Sequence, residues 1–65
     1  MLLKEALEYE NIIKEYSNDY NFCNINLNVA VNIYVKEEKL KELTNRINFK
    51  RIDKLKGRHR YLLTF

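Results

Sequence analysis

The stretch "KLKGRHRY", residues 54–61, gathers the side chains best suited to chemistry. Lys54, Lys56, Arg58, His59 and Arg60 flank the single glycine, Gly57, and Tyr61 follows them. Ammonium and guanidinium groups suit phosphate oxygens, and the guanidinium is a planar fork that bonds two of them at once. An aromatic ring alongside offers a surface on which a nucleic-acid base can stack. Arg46, Lys50 and Arg51 lie just upstream, so residues 46–60 hold seven Lys and Arg against one acid, Asp53. The candidate nucleic-acid surface therefore comprises Arg46, Lys50, Arg51, Lys54, Lys56, Arg58, His59, Arg60 and Tyr61. The competing reading is a solvated basic face that keeps a sheet edge from pairing with another chain.

A second stretch, "CNINLNVAVNIYV" at residues 23–35, alternates without a slip. Cys23, Ile25, Leu27, Val29, Val31, Ile33 and Val35 hold the odd positions. Asn24, Asn26, Asn28, Ala30, Asn32 and Tyr34 hold the even ones. Period two is the signature of a half-buried strand, with the aliphatic face toward a core. An amide both donates and accepts hydrogen bonds, so Asn24, Asn26, Asn28, Asn32 and Tyr34 form a candidate protein-interaction face. The plainer reading is an uncovered face kept soluble without charge.

Other chemistry finds little support. No glycine-rich phosphate loop is present, and no nucleophile, base and acid stand at an arguable spacing. Glu37, Glu38 and Glu42 alternate with Lys39, Lys41 and Arg46, the pattern of a solvated, salt-bridged helix face. Cys23 alternates inward with the aliphatics, as a small core residue would. One cysteine closes no disulfide, and Cys23 with His59 falls short of the roughly four ligands of a structural zinc site. The expectation is a non-enzymatic protein without cofactor or metal, in a reducing cytoplasm.

The net charge of +3 hides a polarity. Residues 1–22 carry two Lys against five acids, whereas residues 23–65 carry ten Lys and Arg against four acids. No apolar run approaches the roughly 18 residues of a membrane span. The opening "MLLKEALEYE" lacks the basic n-region of a secretory signal. Sixty-five residues with no proline and one glycine read as one ordered domain, residues 1–65. A domain of this size buries only about 60% of its unfolded surface, which makes a partner chain, and a homodimer in particular, a reasonable source of stability.

These groups need elements to position them. Leu2, Ala6, Tyr9, Ile13, Tyr16 and Tyr20 recur at steps of three and four, which predicts a helix over 2–17 with Leu3 and Ile12 widening its apolar stripe. Ser17, Asn18, Asp19 and Asn21 predict a turn. Residues 36–47 predict a second helix, with Leu40, Leu43 and Ile47 inward and no side-chain N-cap at its start. Residues 49–65 allow two readings. "FKRID" and "HRYLLTF" can form a hairpin around Gly57, with His59, Tyr61, Leu63 and Phe65 on one face. Alternatively the helix continues to Lys56 and Gly57 caps it. The preferred order is helix, strand, helix, strand, strand. It describes a small α+β domain whose antiparallel sheet is covered on one face by two helices. A straight 13-residue strand spans about 43 Å, against a diameter of roughly 28 Å for a 65-residue globule. The strand must therefore bend at a bulge, or its end must pair with another chain.

Two segments resemble known families. "LKELTNRINFKRIDKLKGRHRYLL" is similar to the opening of HicA-type toxins, small mRNA-cleaving proteins with a double-stranded-RNA-binding-like fold. In that family a Lys-Gly-Ser-His turn carries a catalytic histidine. Lys56, Gly57 and His59 match the turn, and Arg58 stands in place of the serine. The resemblance implies RNA cleavage through His59. "VNIYVKEEKLKEL" is similar to the strand-to-helix start of ribbon–helix–helix DNA-binding proteins. Three functions are thus expected in order. First comes a small binding protein or regulator whose basic hairpin engages nucleic acid or a nucleoprotein. Next is a protein inhibitor or adaptor of the kind phages and mobile elements encode, docking through a sheet edge or the asparagine face. Last is a HicA-like RNase.

Overall fold

The computed structural model describes residues 3–65, so the predicted helical position Leu2 lies outside the described residues. Two short helices, α1 (Leu3–Leu7) and α2 (Glu10–Lys14), precede a hairpin of β1 (Tyr20–Ile25) and β2 (Asn28–Tyr34). Helix α3 (Glu37–Arg46) leads to a second hairpin, β3 (Arg51–Lys54) and β4 (Arg60–Thr64). The strands form one antiparallel sheet in the order β1-β2-β4-β3. The domain is a small α+β fold, as the patterning implies.

The single helix expected over 2–17 is broken. The amides of Glu8 and Tyr9 bond three residues back, to Glu5 and Ala6, which tightens the chain between α1 and α2. The apolar stripe survives the break. Ala6 and Ile13 are fully buried, and Tyr9, Tyr16 and Tyr20 pack against the same core.

The single strand expected over 23–35 is also corrected. It is the inner part of a hairpin with a two-residue turn, Asn26 and Leu27, both at positive φ (49° and 68°). Positive φ at both central positions is the type I′ geometry, whose backbone twist matches that of the flanking strands. The reversal removes the overhang, and the whole domain measures 27 × 23 × 19 Å. The element order becomes helix, helix, strand, strand, helix, strand, strand.

That turn also reverses the phase of the alternation. Ile25 pairs with Asn28 and Asn24 with Val29, so odd residues of β1 stand opposite even residues of β2. Residues directly opposite in an antiparallel pair share a face. Tyr20, Phe22 and Asn24 therefore join Ile33, Val31 and Val29 on the core face. Cys23 and Ile25 join Ala30 and Asn28 on the other face, against the expectation that they point inward. The expected asparagine face is accordingly divided. Asn28 and Asn32 lie on the open face with Tyr34, Asn24 lies on the opposite face, and Asn26 sits in the turn.

The second hairpin is the one anticipated, and α3 stops at Arg46 rather than running to Lys56. Tyr61 and Leu63 pair with Ile33 and Val31. The core joins these residues with Val29, Val35 and Phe65, and with Leu40, Leu43 and Ile47 of the α3 region. Phe65 anchors the aromatic part of this core, with its ring 5.6 Å from Tyr9, 6.1 Å from Phe22 and 5.1 Å from Phe49. Lys36 occupies the N-cap of α3 without a side-chain capping bond, as the sequence suggested. Among the described residues, no helix is long and apolar enough to cross a membrane.

A candidate basic surface at one end of the sheet

The β3–β4 connection carries the basic motif. Leu55 N–H donates to Arg60 O at 2.9 Å and closes the loop around residues 56–59. Gly57 has φ 102° and His59 has φ 61°, so two left-handed residues bring the chain around within this short span. Glycine adopts that conformation freely, and a β-substituted residue does so at a cost. The left-handed turn at His59 also breaks the alternation expected for residues 59–65. Its ring meets Tyr34 edge-on at 5.8 Å, beside the open face, rather than joining Tyr61, Leu63 and Phe65 in the core.

The predicted basic set divides into committed and uncommitted cations. Arg60 donates from Nη2 to Asp19 Oδ2 at 2.7 Å and from Nη1 to Asp19 Oδ1 at 3.3 Å. Its Nη1 also donates to Asn32 Oδ1 at 3.1 Å, and its guanidinium lies 5.8 Å from the Tyr34 ring centroid. This clamp ties the segment before β1 to the centre of the sheet. Arg46 donates from Nη1 and Nη2 to the two carboxylate oxygens of Glu15, at 2.9 and 3.3 Å, and from Nη1 to the Tyr16 hydroxyl. It clips the end of α2 to the end of α3. Arg51 pairs with Asp53 at 2.9 Å, and Lys50 donates to Asn28 Oδ1 at 3.4 Å. Both lie at the opposite end of the β3–β4 hairpin from the loop.

Lys54, Lys56 and Arg58 remain. All three are exposed, and among the described residues none of their side chains has an ion-pair or hydrogen-bond partner; Lys54, paired with Tyr61, points to the core side of the sheet edge. Lys36 joins them through the backbone, because the amide of its neighbour Val35 donates to His59 O at 2.8 Å. Sequence reasoning missed Lys36, which lies far from the motif along the chain and carries no local signal. Tyr61 is buried in the core, so its ring is not the stacking surface its position suggested. Tyr34, 40% exposed and beside His59, is the aromatic available at this end.

Two hydrogen bonds perturb titration elsewhere. The Glu15 carboxyl is held below its ordinary value of 4.5, chiefly by the hydrogen bond from Arg46 and further by that residue's charge, with desolvation opposing. The reciprocal bond raises Arg46. The Tyr20 hydroxyl donates to Glu10 Oε2 at 2.6 Å, and that bond to a carboxylate raises Tyr20 above 10.0, with desolvation and the Glu10 charge adding to it.

Among the described residues, no group of three or more His, Cys, Asp or Glu could hold a metal ion. Compared with family models, with curated proteins and with solved structures, the chain matches none.

Proposed function

We propose that this protein is a small, non-enzymatic binding protein that grips a nucleic-acid backbone with Lys36, Lys54, Lys56 and Arg58. The observation that carries the reading is the contrast among the basic side chains. Arg46, Arg51 and Arg60 are neutralised by carboxylates, whereas the side chains of Lys36, Lys54, Lys56 and Arg58 are exposed and, among the described residues, carry no ion pair. Unpaired ammonium and guanidinium groups can replace the counterions of a phosphodiester chain. Tyr34 and His59, which meet edge-on at this end of the sheet, give an unpaired base a surface on which to stack.

The test is a titration of labelled single- and double-stranded RNA and DNA at about 50 and 200 mM salt. Three to four phosphate contacts predict that affinity falls about 20- to 150-fold over that range. Replacing Lys54, Lys56 and Arg58 together by Ala should abolish most of the binding and flatten its salt dependence. Salt-insensitive binding, or a triple variant that binds like the parent, would overturn the assignment. RNA cleavage lost in His59→Ala would favour the HicA-type reading instead.

A further inference from the structure

The two edges of the sheet differ in kind. Strand β3 is four residues long and carries Arg51, Asp53 and Lys54. Short, charged edge strands discourage pairing with another chain. Strand β1, "YNFCNI", is six residues long and holds no charge, proline or glycine. Its own residues supply neither the charges nor the proline that usually protect an edge.

The backbone pattern specifies which groups face outward. Tyr34 N–H donates to Asp19 O at 2.9 Å, so Asp19 and Tyr34 form a hydrogen-bonded pair. In an antiparallel ladder hydrogen-bonded and non-hydrogen-bonded pairs alternate. Asn21, Cys23 and Ile25 then bond across to β2, and the N–H and C=O of Tyr20, Phe22 and Asn24 point away from it. Among the described residues, these six groups have no hydrogen-bond partner.

We infer that β1 docks on β1 of a second copy, antiparallel, about a two-fold axis at Phe22. A two-fold perpendicular to the sheet must pair residues of the same face. Centring it on Asn21 or Cys23 leaves part of the outward set beyond the partner strand. Centring it on Phe22 places Tyr20 opposite Asn24 of the second copy and Phe22 opposite its own equivalent, and all six groups bond. The charge pattern favours the same arrangement. The strand brings no like charges together, and the antiparallel direction holds the acidic Asp19 ends at opposite ends of the interface. The half-buried Phe22, already stacked on Phe65, extends the aromatic core across the axis. The operation is closed, so it yields a dimer with a continuous eight-stranded sheet, not a fibre.

This inference is independent of the nucleic-acid reading and is tested without nucleic acid. Sedimentation equilibrium of the full chain should give the mass of two chains. Asn24→Pro removes an outward N–H from an exposed edge position and leaves every bond to β2 in place. It should raise the dimer dissociation constant about tenfold or more, since two symmetry-related hydrogen bonds are lost. Its circular dichroism should match the parent, which separates lost pairing from lost folding. A mixture of the Asn21→Cys/Cys23→Ser chain with the parent chain supplies the register test, because position 21 lies opposite Cys23 of the second copy in a non-hydrogen-bonded pair, whereas a two-fold at Asn21 or Cys23 would join like chains instead. Mild oxidation should produce a covalent dimer of one chain of each kind. A parent chain that stays monomeric at high micromolar concentration overturns the inference, as does a dimer indifferent to Asn24→Pro. So does a monomer that instead takes up extended peptides at this edge.

Discussion

Leu27→Gly should stabilise this protein. Leu27 sits at the second central position of the type I′ turn with φ 68° and is 99% exposed. Its side chain therefore contributes no burial that the substitution could lose. A β-substituted residue in the left-handed region costs about 1–2 kcal/mol, whereas glycine adopts it freely. Glycine also gives the unfolded chain more freedom, which offsets about 0.4–1 kcal/mol of the gain. The net expectation is about 0.5–1 kcal/mol of stabilisation, or roughly 2–8 °C in melting temperature for a domain of this size. Thermal and urea unfolding followed by circular dichroism would measure it. Leu27→Ala is the control, since it removes the exposed side chain and keeps the β-carbon, and it should change little. A Leu27→Gly protein no more stable than the parent would falsify the strain argument. Equal gains from Gly and Ala would point to the exposed side chain, not the backbone, as the source.

Leu63→Ala should cost about 2–5 kcal/mol, enough to unfold much of a small domain, because Leu63 is wholly buried at the centre of the sheet. Urea titration at two temperatures would show it. Arg60→Ala should lower stability by about 1 kcal/mol through loss of the partly exposed Asp19 clamp, whereas Arg58→Ala should leave the melting temperature unchanged and lower only nucleic-acid affinity. The opposite ranking would mean that the clamp and the free cation have been exchanged. Glu15 has a lowered folded-state pKa, so its contribution is present above 4.5 and is lost as pH falls through the folded value. Glu15→Gln should therefore flatten the acid limb of stability against pH. Tyr20 is raised, so its contribution is present below 10.0 and is lost as pH rises through the folded value. Absorbance titration of the parent against Glu10→Gln should show the late ionisation of Tyr20 returning toward the ordinary range in the variant.

The sequence alone determined the class of the fold and most of the core. Local periodicity carries that information, which is why Ala6, Ile13, Val29, Val31, Ile33, Leu40, Leu43, Ile47 and Leu63 are buried as their spacing implies. The glycine of the second hairpin was legible too, because only a left-handed residue fits there. Tertiary structure decided where the first hairpin turns. Asn26-Leu27 lacks the glycine that marks most type I′ turns, so period two runs unbroken through a reversal and the faces of Cys23, Asn24 and Ile25 invert. It likewise decided which basic residues are available. Arg60 reaches Asp19 across 41 positions and Arg46 reaches Glu15 across 31. A count of charges in a window does not register pairings at such separations. The candidate site was therefore legible as a region, the Lys54–Arg60 turn. Its membership, with Lys36 and Tyr34 added and Tyr61, Arg46 and Arg60 committed elsewhere, depended on which strands became neighbours.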